Sequence, residues 1–161
     1  MSVTIRHSEQ QDIAAIKAIY EQPQNYSATL QLPFPSLDKW QQNLGTPSNN
    51  FYSLVAELNG EIVGQIGIDH FANPRRRHVA NIGMAVLANH QGKGVGSALL
   101  KGAIELCNNW LAVSRIELEV YTDNTAAINL YKKFGFNTEG TAKNYAFRHG
   151  EYVDVLLMAK A

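Results

Sequence analysis

A single cysteine, Cys107, is all the thiol the chain carries in 161 residues. That excludes an intrachain disulfide and fits a reducing compartment. Its place on an apolar helical stripe reads as a buried, inert thiol before it reads as a nucleophile. No sign of charge prevails either: 14 Lys and Arg balance 14 Asp and Glu. With no basic tail or continuous basic face, nucleic acid is not an expected partner. No apolar run reaches membrane-spanning length, and Met1–His7 lacks the apolar core of a signal peptide. No membrane partner is expected, and a cytoplasmic location follows. Repeats, low-complexity tracts and linkers are missing too, so one domain over residues 1–161 is expected, long enough to bury its own core. The oligomeric state stays open, a homodimer included.

What is present begins with a phosphate-binding pattern. The apolar run Ile82–Val86 ends, four residues turn, and Gln91-Gly92-Lys93-Gly94-Val95-Gly96 runs into Ser97-Ala98-Leu99-Leu100. A small-residue loop opening a helix offers several unpaired N–H groups where the macrodipole favours an anion. A Cβ at Gly94 or Gly96 is expected to occupy the space a phosphate needs. The P-loop string G-x-x-x-x-G-K-[ST] is absent. A dinucleotide fingerprint fits poorly, because Gly92-Lys93-Gly94 is followed by Ser97, not glycine, and Glu117 lies inside a strand pattern. A flexible strand-to-helix turn is the plain alternative. The spacing Q-x-x-G-x-G after a strand resembles the acyl-CoA loop of the GNAT N-acetyltransferases.

The surrounding pattern gives the order β-α-α-β-β-β-α-β-α-β-β, an α/β (α+β) chain. Val3 and Ile5 alternate into a first strand, and Ile13, Ile16 and Ile19 mark a helix ending near Pro23. Gln22–Pro35 reads as a loop. Ser36 caps a second helix that Gly45-Thr46-Pro47 stops. Asn59-Gly60 joins two strands as a hairpin, and a strand follows over His78–Val86. On the next helix, Val95, Leu99, Ala103, Leu106 and Trp110 form one apolar stripe beside Leu100, Ile104, Cys107 and Leu111. Ile116, Leu118 and Val120 alternate in a strand. Asp123 or Asn124 caps a last helix ending at Gly135, and two strands near Phe136–Phe147 and Tyr152–Ala159 turn at His149-Gly150.

That order is also the GNAT order, so the resemblance spans almost the whole chain. It rests on Gln91–Gly96, on the block Asn124–Phe136 and on the tail Gly150–Met158. Residues 74–80 and 143–154 resemble a bacterial branch that acetylates free L-amino acids. The resemblance implies a mixed, mostly antiparallel, splayed sheet flanked by helices, with acetyl-CoA as co-substrate and no metal. It implies direct acetyl transfer to the primary amine of a small molecule, in a ternary complex. Protein N-terminal acetylation and a non-catalytic acyl-CoA-binding regulator are the alternatives.

The family pattern places the pyrophosphate on the N–H groups from Gln91 to Ser97, bare donors that point in fixed directions. Met84, Ala85 and Val86 are expected to pair with the pantetheine arm as an added strand and to polarise the acetyl carbonyl. Plain core packing is the alternative for their side chains. Tyr131 is the expected general acid: a phenol near 10 stays protonated beside a thiolate whose thiol titrates near about 8.5. The plain alternative is a tyrosine packed on the apolar stripe of its helix. Asn124 is expected to hydrogen-bond the pantetheine arm, or simply to cap its helix.

In the family that the chain resembles, several members carry Glu or Asp on this strand near the position held here by Asn81, and an amide accepts no proton at neutral pH. Glu119 on the neighbouring strand is the nearest replacement, with His78, Asp69 and Glu151 behind it. Neutralising an α-amine of pKa near 8 at pH 7 costs at most about 1.4 kcal/mol, against about 4.6 for a lysine amine. A weak base therefore suits an α-amine better than a lysine. Arg75 or Arg76 is expected to hold a substrate carboxylate, unless Arg75-Arg76-Arg77 is a solvated hairpin tip. Tyr26, Leu30, Leu32 and Phe34 are expected to wall a pocket for an apolar side chain, or else to pack on the core.

Overall fold

The computed structural model describes residues 2–46 and 48–161. Pro47, part of the stop expected after the second helix, lies outside the described residues, as does Met1. The elements in order are β1 (Thr4–His7), a 3-10 turn at Gln10–Asp12, α1 (Ile13–Tyr20), α2 (Pro23–Ser27), α3 (Leu37–Gly45), β2 (Phe51–Leu58), β3 (Glu61–His70) and β4 (Val79–Val86). A 3-10 turn at Ala88–His90 leads to α4 (Val95–Trp110), β5 (Arg115–Tyr121), α5 (Thr125–Lys133), β6 (Asn137–Arg148) and β7 (Glu151–Lys160). Among the described residues seven strands form one sheet in the order β1-β2-β3-β4-β5-β7-β6. Every neighbouring pair is antiparallel except β4 with β5.

Both hairpins form where turn chemistry places them. Asn59 and Gly60 have φ of 51° and 80°, and His149 and Gly150 have 49° and 78°. Two successive left-handed residues match the twist of the strands they join. Ser36 accepts the Lys39 N–H at the start of α3, and Asn124 accepts that of Ala127 at the start of α5. Alternation then sorts the sheet into two faces. Ile66, Ile68, Ile116 and Leu118 pack against Leu99, Leu100 and Ala103 of α4. Val55 and Ala85 meet Ile16, Ile19 and Tyr20 of α1 on the other face. Burial of each large aliphatic side chain there stabilises the fold by about 1.5–3 kcal/mol.

Two expectations fail locally. The stretch Gln22–Pro35 is not all loop, because α1 closes at Tyr20 and Pro23 opens α2. Proline at a first helical position loses no hydrogen bond, since that N–H has no intrahelical partner anyway. The observed order is therefore β-α-α-α-β-β-β-α-β-α-β-β. Trp110 also leaves its expected stripe. It is the last residue of α4 and stays 81% exposed, whereas Leu99, Ala103 and Cys107 are fully covered.

Candidate active site

β4 and β5 share three rungs, Val79↔Arg115, Ala80↔Ile116 and Asn81↔Glu117. Beyond Asn81 the strands part. β4 continues to Val86 held by β3, and β5 continues to Tyr121 held by β7. Main-chain groups facing across the gap are left without a strand partner, a place where an extended, amide-rich ligand adds as a strand. The gap opens into a cleft of about 1490 Å³.

The glycine loop closes one end of this cleft. Gly94 caps α4 with φ of 84°, a left-handed conformation that a Cβ disfavours. The first helical bond runs from the Ala98 N–H to the Gly94 carbonyl, leaving Val95, Gly96 and Ser97 with unshared N–H groups. No acidic residue occurs between Gln91 and Ser97. The Nδ1 of His90, also in the cleft wall, is buried without a partner among the described residues. These features fit the pyrophosphate of acetyl-CoA. Lys93 is exposed and the Val95 side chain is buried in the core, so those two have only their main chain to offer. Gly96 differs from Gly94: a Cβ there would lie in ordinary contact with the Leu130 and Met84 side chains, at 3.4 and 3.5 Å, whereas the Cβ position at Gly94 is open. The side chains of Asn25 on α2 and Gln91 both donate to the Val86 carbonyl, at 2.9 and 3.2 Å.

Where the strands part, Asn81 Nδ2 donates to Glu119 Oε2 at 2.8 Å. Asp69 is the cross-strand partner of Asn81 and also lines the cleft. Tyr131 on α5 lines it as well. Burial pushes its phenol up to about 12, and no side chain or carbonyl among the described residues takes up its hydroxyl proton. Asn124 serves two ends at once: its carbonyl caps α5, while its amide N–H groups remain free on the cleft wall. Met84, Ala85 and Val86 line the same wall.

Other expected residues are placed elsewhere. Arg75 and Arg76 sit in the β3–β4 connection, outside the cleft lining. Arg76 is bound to Glu117 at 3.0 Å and lies over the Phe71 ring. Tyr26 also leaves the expected apolar wall. Because α2 is helical, Asn25 turns inward and its neighbour Tyr26 turns away, while Leu30, Leu32 and Phe34 do border the cleft. His78 and Glu151 are not part of its lining.

The structure adds two residues that the sequence did not reveal, Tyr145 and Arg148, both on β6. A bulge between Ala142 and Ala146 shifts the register with β7 and turns Tyr145 toward Glu119. Burial, with the nearby Glu119 charge, pushes the Tyr145 phenol up. Their nearest sequence signal is Asn144, which adopts a φ of 51°.

The family model described as the Acetyltransferase (GNAT) family matches residues 14–136. The chain belongs to the GNAT acetyltransferase family. It is an N-acetyltransferase whose acyl donor is acetyl-CoA. The L-amino acid N-acetyltransferase AaaT of Escherichia coli K12 is 48% identical over 158 residues, covering 98% of this chain and 97% of that relative. An N-alpha-acetyltransferase of Sulfurisphaera tokodaii is 35% identical over 115 residues, covering 65% and 66% of the two chains. Among solved structures, a GNAT superfamily phosphinothricin acetyltransferase from Sinorhizobium meliloti, in complex with acetyl-CoA, superimposes with a TM-score of 0.86. It is 25% identical, and the match covers 99% of this chain and 88% of that one. No described helix is long and apolar enough to cross a membrane.

Proposed function

We propose that this GNAT enzyme acetylates the α-amine of a free L-amino acid in the cytoplasm, by direct transfer in a ternary complex. The observation that carries the reading is the Asn81–Glu119 pair at the point where β4 and β5 part. The pair offers a single proton acceptor beside an amide, a base adequate for an amine of pKa near 8–9 and weak for a lysine. Near full-length similarity to AaaT supports the same acceptor class.

Acetyl-CoA supplies the activated acetyl group as a thioester. The N–H groups of Val95–Ser97 hold its pyrophosphate, and main-chain groups of Met84–Val86 align the arm that leads to it. Glu119 takes the proton from the amine, directly or through a water that Asn81 also holds. Tyr131 faces the departing sulfur. A phenol pushed up to about 12 is a weaker acid than an ordinary thiol near about 8.5, so its main contribution is a hydrogen bond to the thiolate. Leu30, Leu32 and Phe34 line the same cleft, largely exposed, and on this reading they close over an apolar acceptor side chain when it binds. Glu119, Asn81, Tyr131 and Asn124 carry this reading.

Thiol release from acetyl-CoA across a panel of amines tests it. Free amino acids should be turned over well above polyamines and peptides. Turnover of peptide N-termini with none of free amino acids overturns the acceptor in favour of protein N-terminal acetylation.

A further inference from the structure

Arg75 and Arg76 lie outside the cleft lining, yet one arginine among the described residues does stand in its wall: Arg148, near the end of β6. Its guanidinium lies 4.6 Å from the centre of the Tyr121 ring and donates to the Ser27 carbonyl at 3.1 Å. It also pairs with Asp123, whose side chain is 64% exposed. Two of its five N–H groups are therefore engaged, and its carboxylate partner is solvated and exchangeable. The guanidinium itself is pre-set by the Tyr121 face and the Ser27 carbonyl.

Position on the sheet gives this cation its meaning. Alternation puts Glu119 and Tyr121 on the same face of β5, one pleat repeat or about 7 Å apart. Arg148 rests on Tyr121, so an anion and a cation face one space from neighbouring positions. In an α-amino acid the ammonium and carboxylate are about 3 Å apart. Adding a charge-assisted contact of about 2.8 Å at each end gives a span of about 8–9 Å, one pleat repeat extended by the reach of an arginine.

We propose that Arg148 is the specificity-determining residue that receives the carboxylate of the acceptor, which displaces Asp123 from it. This assignment rests on the free amino acid reading above. Lys39 and His90 are the other basic side chains in the lining, Lys39 on α3 and His90 beside the glycine loop. Neither is held next to Glu119 by a shared strand. The exchange of one carboxylate for another conserves charge at Arg148. An uncharged acceptor end leaves the Asp123 pair intact and gains nothing from it.

The test compares L-phenylalanine with L-phenylalaninamide, rates being corrected to the same fraction of neutral amine. The wild-type enzyme should favour the free acid at least thirtyfold in kcat/KM. Arg148→Gln should collapse that preference to within about threefold, and Arg148→Lys should restore part of it. Asp123→Asn should lower KM for the acid severalfold relative to KM for the amide, a shift that a merely structural tie does not produce. A preference that persists in Arg148→Gln, an equal fall for acid and amide, or a collapse in Arg76→Gln instead overturns the assignment. Equal wild-type activity on acid and amide also overturns it while leaving the α-amine acceptor standing. Acetylation of peptides alone removes the acceptor reading and this one together.

Discussion

Asn81 and Glu119 meet diagonally across the last paired rung of β4 and β5, at 2.8 Å, with the amide as donor. The contact engages one carboxylate oxygen and leaves the other free for the cleft. An amide cannot take a proton, so only the carboxylate of this pair can serve as a base.

Glu119→Gln should therefore lower kcat/KM at neutral pH by tenfold or more. The deficit should shrink as pH rises, because the acceptor then loses its proton to solvent unaided. A pH–rate profile superimposable on the wild type removes Glu119 from the reaction and makes Asp69 the next residue to replace.

Tyr131→Phe keeps the ring against Phe136 and removes the hydroxyl. A fall in kcat of about 10²-fold or more is expected, with the affinity for acetyl-CoA changed by less than about threefold. Burial holds the phenol up to about 12, so its proton stays in place through the alkaline range. Wild-type activity should accordingly show no loss from Tyr131 ionisation below about pH 11.

Gly94 adopts a φ of 84° with open space where a Cβ would stand. Gly94→Ala should cost about 1 kcal/mol of stability from backbone strain alone. Gly94→Glu adds a bulky anion beside the free N–H groups and should weaken acetyl-CoA binding by at least tenfold in calorimetry. Equal affinities in the two variants place the pyrophosphate elsewhere.

Arg6 donates to both carboxylate oxygens of the buried Asp12, at 2.7 and 3.0 Å, and the Glu9 N–H adds a third bond. The Arg6 hydrogen bonds hold the Asp12 carboxyl below its usual range in spite of burial. A lowered folded value means that this stabilisation is complete above the unfolded value of about 3.9 and is lost as pH falls through the folded one. Asp12→Asn should cost about 2 kcal/mol at pH 7 and flatten the acid side of the stability curve, as read by urea unfolding.

Local chemistry was legible in the residues; tertiary placement was not. The glycine loop, both hairpin turns and the Asn124 cap depend on neighbours within a few positions, and each forms where its spacing puts it. Glu119 was reachable by one further step, the adjacency of its strand to that of Asn81. Arg75 and Arg76 show the limit: a sequence displays a charge but not which side of a sheet its turn hangs from. Tyr145 and Arg148 were beyond reach for a related reason. A register shift between β6 and β7 aims one of them, and contacts from α2, β5 and the start of α5 seat the other. Pro23 was read as the end of one helix and not as the start of the next.

On the proposed placement of acetyl-CoA along the three-rung seam between β4 and β5, heat resistance should rise with the concentration of the donor. The ladders within β2–β4 and within β5–β7 are longer than the three rungs that join β4 to β5, so the centre of the sheet is least tied along the open part of that seam. A molecule lying there acts as mortar between two blocks. At a concentration one hundred times its dissociation constant it adds about 2.7 kcal/mol by mass action, a sizeable share of the stability of a chain this size. On that placement the empty protein should unfold at a lower temperature than the protein with saturating acetyl-CoA, as read by thermal unfolding at graded donor concentrations.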